Sequence, residues 1–118
     1  MMPIDSLPQN RLILPHEPAA PATEPEPGLE RQILVHSPSM MLVRHRMRKG
    51  WRGAPHCHPH EQMVYVVSGR IRARVEAEWH EAAGGDNFIV VSNAEHEAEA
   101  LEDSVVLDIF TPTREDYL

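Results

Sequence analysis

From Ile71 to Trp79 apolar and polar residues alternate without a break: Ile71, Ala73, Val75, Ala77 and Trp79 against Arg70, Arg72, Arg74, Glu76 and Glu78. Side chains two apart on a strand share a face, whereas a helix repeats its apolar positions at three and four. The run therefore predicts a strand with one buried face. Comparable short segments fill the chain beyond Leu29. Residues 31–36 and 40–48 read as strands, the second ended by Lys49-Gly50. Residues 62–67 form another, closed by Ser68-Gly69, and Gly84-Gly85-Asp86 is a turn before the apolar run 88–91. Residues 95–101 alternate again, with Glu95, Glu97 and Glu99 opposite His96, Ala98 and Ala100. The last strand, 105–110, stops before Thr111-Pro112. Many short strands at this spacing predict an all-β sandwich or small barrel, with at most one helical turn at the C-terminus.

The chain of 118 residues fits a single domain, and its 42% hydrophobic residues can build a core. Only 5% are aromatic, so that core must be aliphatic. Of eleven prolines, Pro3, Pro8, Pro15, Pro18, Pro21, Pro25 and Pro27 precede Gly28. Proline donates no ladder hydrogen bond, so residues 1–27 read as an N-terminal arm and 28–118 as the β-barrel domain. Within the arm, Leu12, Ile13 and Leu14 form a candidate edge strand. One cysteine excludes an internally disulfide-stapled scaffold. A formal charge of −7 argues against nucleic acid as a partner, which demands a basic surface. No apolar run reaches the roughly 20 residues of a membrane span. With no basic, apolar leader at the N-terminus, the expectation is a cytoplasmic domain.

Eight histidines are many for this length. In an extended segment His56 and His58 present both imidazoles to one point. Gln62, four residues on and past the turn at Pro59, can close the same site from the next strand. His96 lies on an alternating strand beside the small Ala98 and Ala100, which leave room for an ion and a ligand. These four residues predict a metal centre. Imidazole suits zinc, nickel, copper, iron and manganese alike. A neutral amide where a carboxylate could stand leaves a divalent ion its full charge, favouring anionic oxygens in its open positions. His16, His36, His45 and His80 read as ordinary residues, His60 as pointing away, and Cys57 as a buried or partly buried thiol turned from the site. Arg44, Arg46 and Arg48 share one strand face, as do Arg70, Arg72 and Arg74. They read as solvated faces, the second set pairing with the Glu95, Glu97 and Glu99 row. The alternative is that one arginine from the strand before Gly50 reaches inward to an anionic substrate.

Gly50, His56, His58, Gln62 and Gly69 resemble the first motif of the cupin family, G-x5-H-x-H-x3-E-x6-G, with every spacing kept and Gln in place of Glu. In the second motif, G-x5-P-x-G-x2-H-x3-N, Gly85 and His96 match, while Val91, Asn93 and Ala100 replace Pro, Gly and Asn. The resemblance spans residues 28–112 and implies a cupin jelly-roll β-barrel. The segments LDIFTPTREDYL, HPHEQ and PGLERQIL are similar to small cupins of pectin and alginate degradation, which linearise 4,5-unsaturated monouronates. That narrower resemblance implies one divalent metal (Ni, Zn, Fe or Mn) on His56, His58, Gln62 and His96. It also implies a site lined by Asp108, Phe110 and Arg114 of a D-x-F-x3-R motif, a small anionic substrate and a homodimer.

The residues themselves support part of this. Asp108 interrupts an apolar run, sharing a face with Val106 and Phe110. A buried carboxylate is costly unless neutralised or paired, and near a metal it is a candidate general acid or base. The other reading is a strand-end Asp facing solvent or bonded to a backbone amide. Arg114 could bind a substrate carboxylate in bidentate fashion, or be a surface arginine. The predicted activity is ring opening and tautomerisation, with Asp108 and Arg114 catalytic and Phe110 and Arg114 contacting substrate. The alternatives are an Fe(II)-type cupin dioxygenase and a metal- or ligand-binding cupin without catalysis.

Overall fold

The computed structural model describes residues 20–118, so the expectations for Leu12, Ile13, Leu14 and His16 lie outside the described residues. Nine strands run through this part: β1 Thr23–Glu26, β2 Leu29–His36, β3 Met41–Met47, β4 Glu61–Ser68, β5 Arg70–Val75, β6 Glu78–Ala83, β7 Asn87–Val90, β8 His96–Ala100 and β9 Ser104–Thr111. A single 3-10 turn, Glu115–Tyr117, follows. The strands form two antiparallel sheets, a six-stranded one ordered β1-β2-β3-β9-β4-β7 and a three-stranded one ordered β6-β5-β8. Together they make an all-β barrel. Among the described residues no helix is long and apolar enough to cross a membrane.

Most strands lie within two residues of the expected bounds, and two segments depart from the expectation outright. The alternation from Ile71 to Trp79 is not one strand, because the chain reverses after Val75 and β5 pairs with β6 from Val75↔Glu78 onward. Glu76 turns the corner with φ +52°. Tight hairpins usually place Gly, Asn or Asp at positive φ, so a Glu-Ala corner carries no sequence signal. As a consequence Trp79 faces outward beneath the guanidinium of Arg72, 4.2 Å from its ring centroid, and Ala82 is the buried residue of β6. Within the segment read as a proline-rich arm, Thr23–Glu26 form the edge strand β1 against β2. Pro25 is tolerated there because an edge strand leaves one row of donors unpaired.

The turn at Ser68-Gly69 is where expected, and its glycine is required. Gly69 has φ +83°, and a Cβ would lie 2.3 Å from the Asp103 carbonyl oxygen and from Ser104 Oγ.

The interior is aliphatic, in two clusters. One gathers Leu29, Met47, Val64, Val66, Ile71 and Val106 with partly buried Trp51 and Phe88. The other holds Met41, Val43 and Phe110, with Ile33 and Tyr117 packed on it. On β3 the inward residues run Met41, Val43, His45, Met47, and on β9 they run Val106, Asp108, Phe110. A layer of polar side chains thus separates the two apolar clusters, and every group in it must find a partner or a ligand.

Candidate metal centre and active site

His56 and His96 face each other across an isolated antiparallel bridge, His56 N–H donating to His96 O at 3.0 Å and the reverse bond at 2.9 Å. His58, one residue past Cys57, turns its ring to the same point. The ring centroids lie 4.2 Å apart for His56–His96, 4.9 Å for His58–His96 and 5.7 Å for His56–His58. One ligand nitrogen from each falls within 4.8 Å of the others, so the three histidines could hold a metal ion. The turn into His96 is built by Asn93, at φ +64° where the family motif has glycine. Asn is among the few side chains that tolerate that conformation. Its N–H donates to the carbonyl of His58 at 2.8 Å, tying the two halves of the cluster together.

The fit to a cation can be tested from hydrogen bonding. The Nδ1 atoms of His56, His58 and His96 face the backbone carbonyls of Ala54, His60 and Ala94 at 3.0, 3.0 and 2.9 Å. A carbonyl only accepts, so each Nδ1 carries the proton and each Nε2 presents a lone pair, the tautomer a metal requires. His96 Nε2 is buried and has no hydrogen-bond partner among the described residues. His58 Nε2 faces Gln62 Oε1 at 3.1 Å, while Gln62 Nε2 donates to Asp108 Oδ1 at 2.8 Å. Two lone pairs thus confront each other between neutral His58 and Gln62. A cation beside both atoms resolves that confrontation.

The network continues behind Gln62. Asp108 is 4% exposed, and its Oδ2 lies 2.6 Å from His45 Nδ1. Arg31 Nε–H donates to His45 Nε2 at 3.0 Å, which makes that nitrogen the acceptor and leaves the proton on Nδ1, pointing at Asp108. Sheet order explains the arrangement: β9 lies between β3 and β4, so His45 reaches Asp108 from one side and Gln62 from the other.

A cavity of about 330 Å³ opens beside this network, a size suited to one small molecule. His56, Gln62, His96, Asp108, Phe110 and Arg114 line it. Arg114 is clamped by Asp116, with Nε to Oδ1 at 3.0 Å and Nη2 to Oδ2 at 2.7 Å. Among the wall residues that the sequence did not point to are His45, Arg31 and Tyr117. His45, which the sequence predicts to be an ordinary residue, is buried; its signal is a polar residue in phase with Met41, Val43 and Met47. Arg31 had the equivalent signal, in phase with Leu29 and Ile33. Tyr117 had none. Neither arginine of β3 nor Arg48 just after it reaches the cavity, because Arg44 bonds Gln32 on the outer face and Arg46 and Arg48 are exposed. Arg74 does pair with Glu95 and Glu97, at 2.8 and 3.0 Å. Cys57 is exposed rather than buried, since the alternation that turns it from the site points it into solvent.

Burial holds the His96 imidazole down at about 4 from an ordinary 6.5, with His56, His58 and Arg114 pushing the same way against the Ala94 hydrogen bond. His58 is lowered as well, by burial first and then by Arg114. Both rings are therefore neutral and ready for a ligand at pH 7. The unfolded chain takes up the His96 proton near pH 6.5 and the folded one only near 4. The stability contribution is thus complete above pH 6.5 and is lost as pH falls from there towards 4, by about 3 kcal/mol in all. Melting curves of chelator-treated protein between pH 7.5 and 4.5 should show this decline. A flat profile would contradict it.

Comparison with known proteins agrees with the geometry. The model of the family described as "Cupin domain" matches residues 43–110. The pectin degradation protein KdgF of Dickeya dadantii (strain 3937) is 37% identical over 93 residues, 77% of this chain and 84% of that one. The solved structure of KdgF from Halomonas sp. superposes with a TM-score of 0.80 at 39% identity, covering 84% of this chain and 92% of its own. An RmlC-like cupin from Shewanella frigidimarina NCIMB 400 gives 0.81 at 32% identity, covering 83% and 88%. With the motif residues in place on a barrel of matching shape, the chain belongs to the cupin family and is a relative of KdgF.

Proposed function

We propose that the chain is an enzyme, a metal-dependent, non-redox cupin that opens the ring of 4,5-unsaturated monouronates. Pectin is built of uronic acids, and the relationship to a pectin degradation protein supports that substrate class. The observation that carries the reading is the place of Asp108: on the cavity wall, one side chain from the histidine trio. His56, His58, His96 and Gln62 would hold one divalent ion, with nickel, zinc, iron and manganese all compatible with these donors. When bound, the ion polarises a substrate oxygen and offsets the charge developing on it.

The chain's own residues supply the proton movements. Asp108 takes the proton of the C1 hydroxyl as the C1–O5 bond breaks, so that C1 becomes an aldehyde carbon and O5 an enol oxygen. Asp108 hands that proton to O5, completing the enol, and its net shift from O5 to C4 then gives the ketone. Substrate and product are isomers, and no oxidant is consumed. His45 donates to Asp108 Oδ2 and fixes the carboxylate plane, leaving lone pairs on both oxygens for the transfer. Phe110 forms part of the wall that excludes water. Arg114 binds a substrate oxygen through Nη1, the guanidinium nitrogen that Asp116 leaves free.

The test mixes pure protein with 4,5-unsaturated galacturonate and follows loss of the enol-ether absorbance. Acceleration over buffer without uptake of O₂ supports the reading. Substrate-dependent O₂ consumption replaces it with a dioxygenase, and binding without turnover replaces it with a non-catalytic ligand-binding barrel.

The protein further acts as a cytoplasmic homodimer in this reading. An exposed free thiol at Cys57 suits a reducing compartment. Met63, Tyr65 and Val67 of β4 lie exposed beside Ile89 of β7, a contiguous apolar outer face that a second copy would cover. Sedimentation should give twice the 13.4 kDa chain mass, and a monomer at micromolar concentration would exclude the dimer.

A further inference from the structure

Three guanidinium groups border the cavity, those of Arg31, Arg74 and Arg114. Arg74 is shared between Glu95 and Glu97. Arg114 spends Nε and Nη2 on Asp116. Arg31 has no carboxylate partner among the described residues, although it stands on β2 inside a barrel rich in acidic side chains. Its one side-chain bond is from Nε to His45 Nε2 at 3.0 Å, which leaves both terminal nitrogens without a protein acceptor among the described residues.

The group is nevertheless held in place. Its guanidinium carbon lies 3.8 Å from the centroid of Tyr117, and that of Arg114 lies 4.2 Å from the same ring. Tyr117 in turn packs edge-on against Phe110 at 5.6 Å and against His45 at 6.4 Å. A guanidinium stacked on an aromatic face keeps its in-plane N–H groups free for an acceptor. With Nε fixed by His45, the remaining fork of two terminal nitrogens matches the two oxygens of a carboxylate.

We propose that Arg31 is the carboxylate anchor of the substrate site, a preformed cationic fork on β2 positioned by His45 and Tyr117. The inference rests on the uronate reading for the kind of carboxylate it takes. It assigns the specificity for acidic over neutral sugars to Arg31, while Arg114 contributes a single donor. His45 then serves two ends of the site: its Nδ1 holds Asp108, and its Nε2 holds the group that places the substrate against Asp108.

The experiment compares wild type, Arg31→Gln and Arg31→Lys on 4,5-unsaturated galacturonate and on its methyl ester. Titration calorimetry with saturated D-galacturonate, which needs no turnover, runs beside it. Arg31→Gln should raise KM for the acid by about 10–100-fold, the range for a lost charge-assisted hydrogen-bond pair, with a clearly smaller loss on kcat and on the ester, which share only the loosening of His45. Arg31→Lys, which retains the charge without the fork, should recover part of the loss and keeps the test valid if the Gln variant melts early. Unchanged affinity for the acid, or equal losses for acid and ester, would overturn the assignment. If wild type fails to turn over the unsaturated sugar, the uronate-opening reading fails alone, and the calorimetric comparison still decides whether Arg31 binds the carboxylate.

Discussion

Asp108→Asn is expected to lower kcat for the unsaturated uronate by about 10²–10⁴, the range supplied by one well-placed proton-transfer group. The substitution keeps the shape of the side chain and removes its ability to take a proton. It also exposes how tightly the network is wired. Asp108 accepts on both sides, from His45 Nδ1 at 2.6 Å and from Gln62 Nε2 at 2.8 Å. An Asn has one acceptor and one donor, so while Gln62 keeps its carbonyl towards His58 either orientation sets two donors against each other. His45 cannot relieve this by changing tautomer, because the N–H of Arg31 occupies its other nitrogen. A stability loss of about 1–3 kcal/mol should accompany the kinetic effect. Kinetics recorded well below the melting point separate the two. A kcat within threefold of wild type would remove Asp108 from the chemistry and leave it a purely structural carboxylate.

His96→Ala should abolish metal binding at the candidate centre. The buried Nε2 of His96 is the ligand atom with no competing partner, and it completes the trio with His56 and His58. Even groups that only support a metal ligand change affinity by about 10–100-fold, so loss of a ligand itself should cost at least the upper figure. Elemental analysis after dialysis is expected to show close to one ion per chain in wild type and background in the variant, with activity falling in parallel. Full metal retention would move the centre elsewhere. The same substitution removes the imidazole whose protonation is suppressed by burial. The acid-induced loss between pH 6.5 and 4 should therefore shrink in chelator-treated His96→Ala.

These outcomes depend on parts of the molecule that differ in how well they can be read from the chain. The pairing of His56 with His58 is a local matter, since alternation along one extended segment brings both rings to one point. His96 follows almost as directly, because its strand alternates and carries small neighbours. The hairpin between β5 and β6 was illegible for an equally local reason. Its corner at Glu76-Ala77 lacks the residues that normally adopt positive φ, so the alternation runs through it unmarked. His45 lay in plain phase with three apolar residues of β3, yet a single histidine on an apolar face says only that it needs a partner. The sequence does not say that the partner is an aspartate 63 residues away.

By itself, then, the sequence determined the all-β class, the turns at Gly69 and Gly85, the face that Asp108 shares with Phe110, and the histidines of the candidate metal centre. Each depends on spacing within one strand or one turn, where the geometry repeats every two residues. Only the tertiary structure decided what surrounds them. The order β3-β9-β4 sets Asp108 between His45 and Gln62, and the C-terminal turn brings Tyr117 onto Arg31 and Arg114. Which strand lies beside which is settled by packing a whole barrel around two apolar clusters. No single segment carries that information, because the cost of an unpartnered polar group is felt only after the neighbouring strands have closed over it.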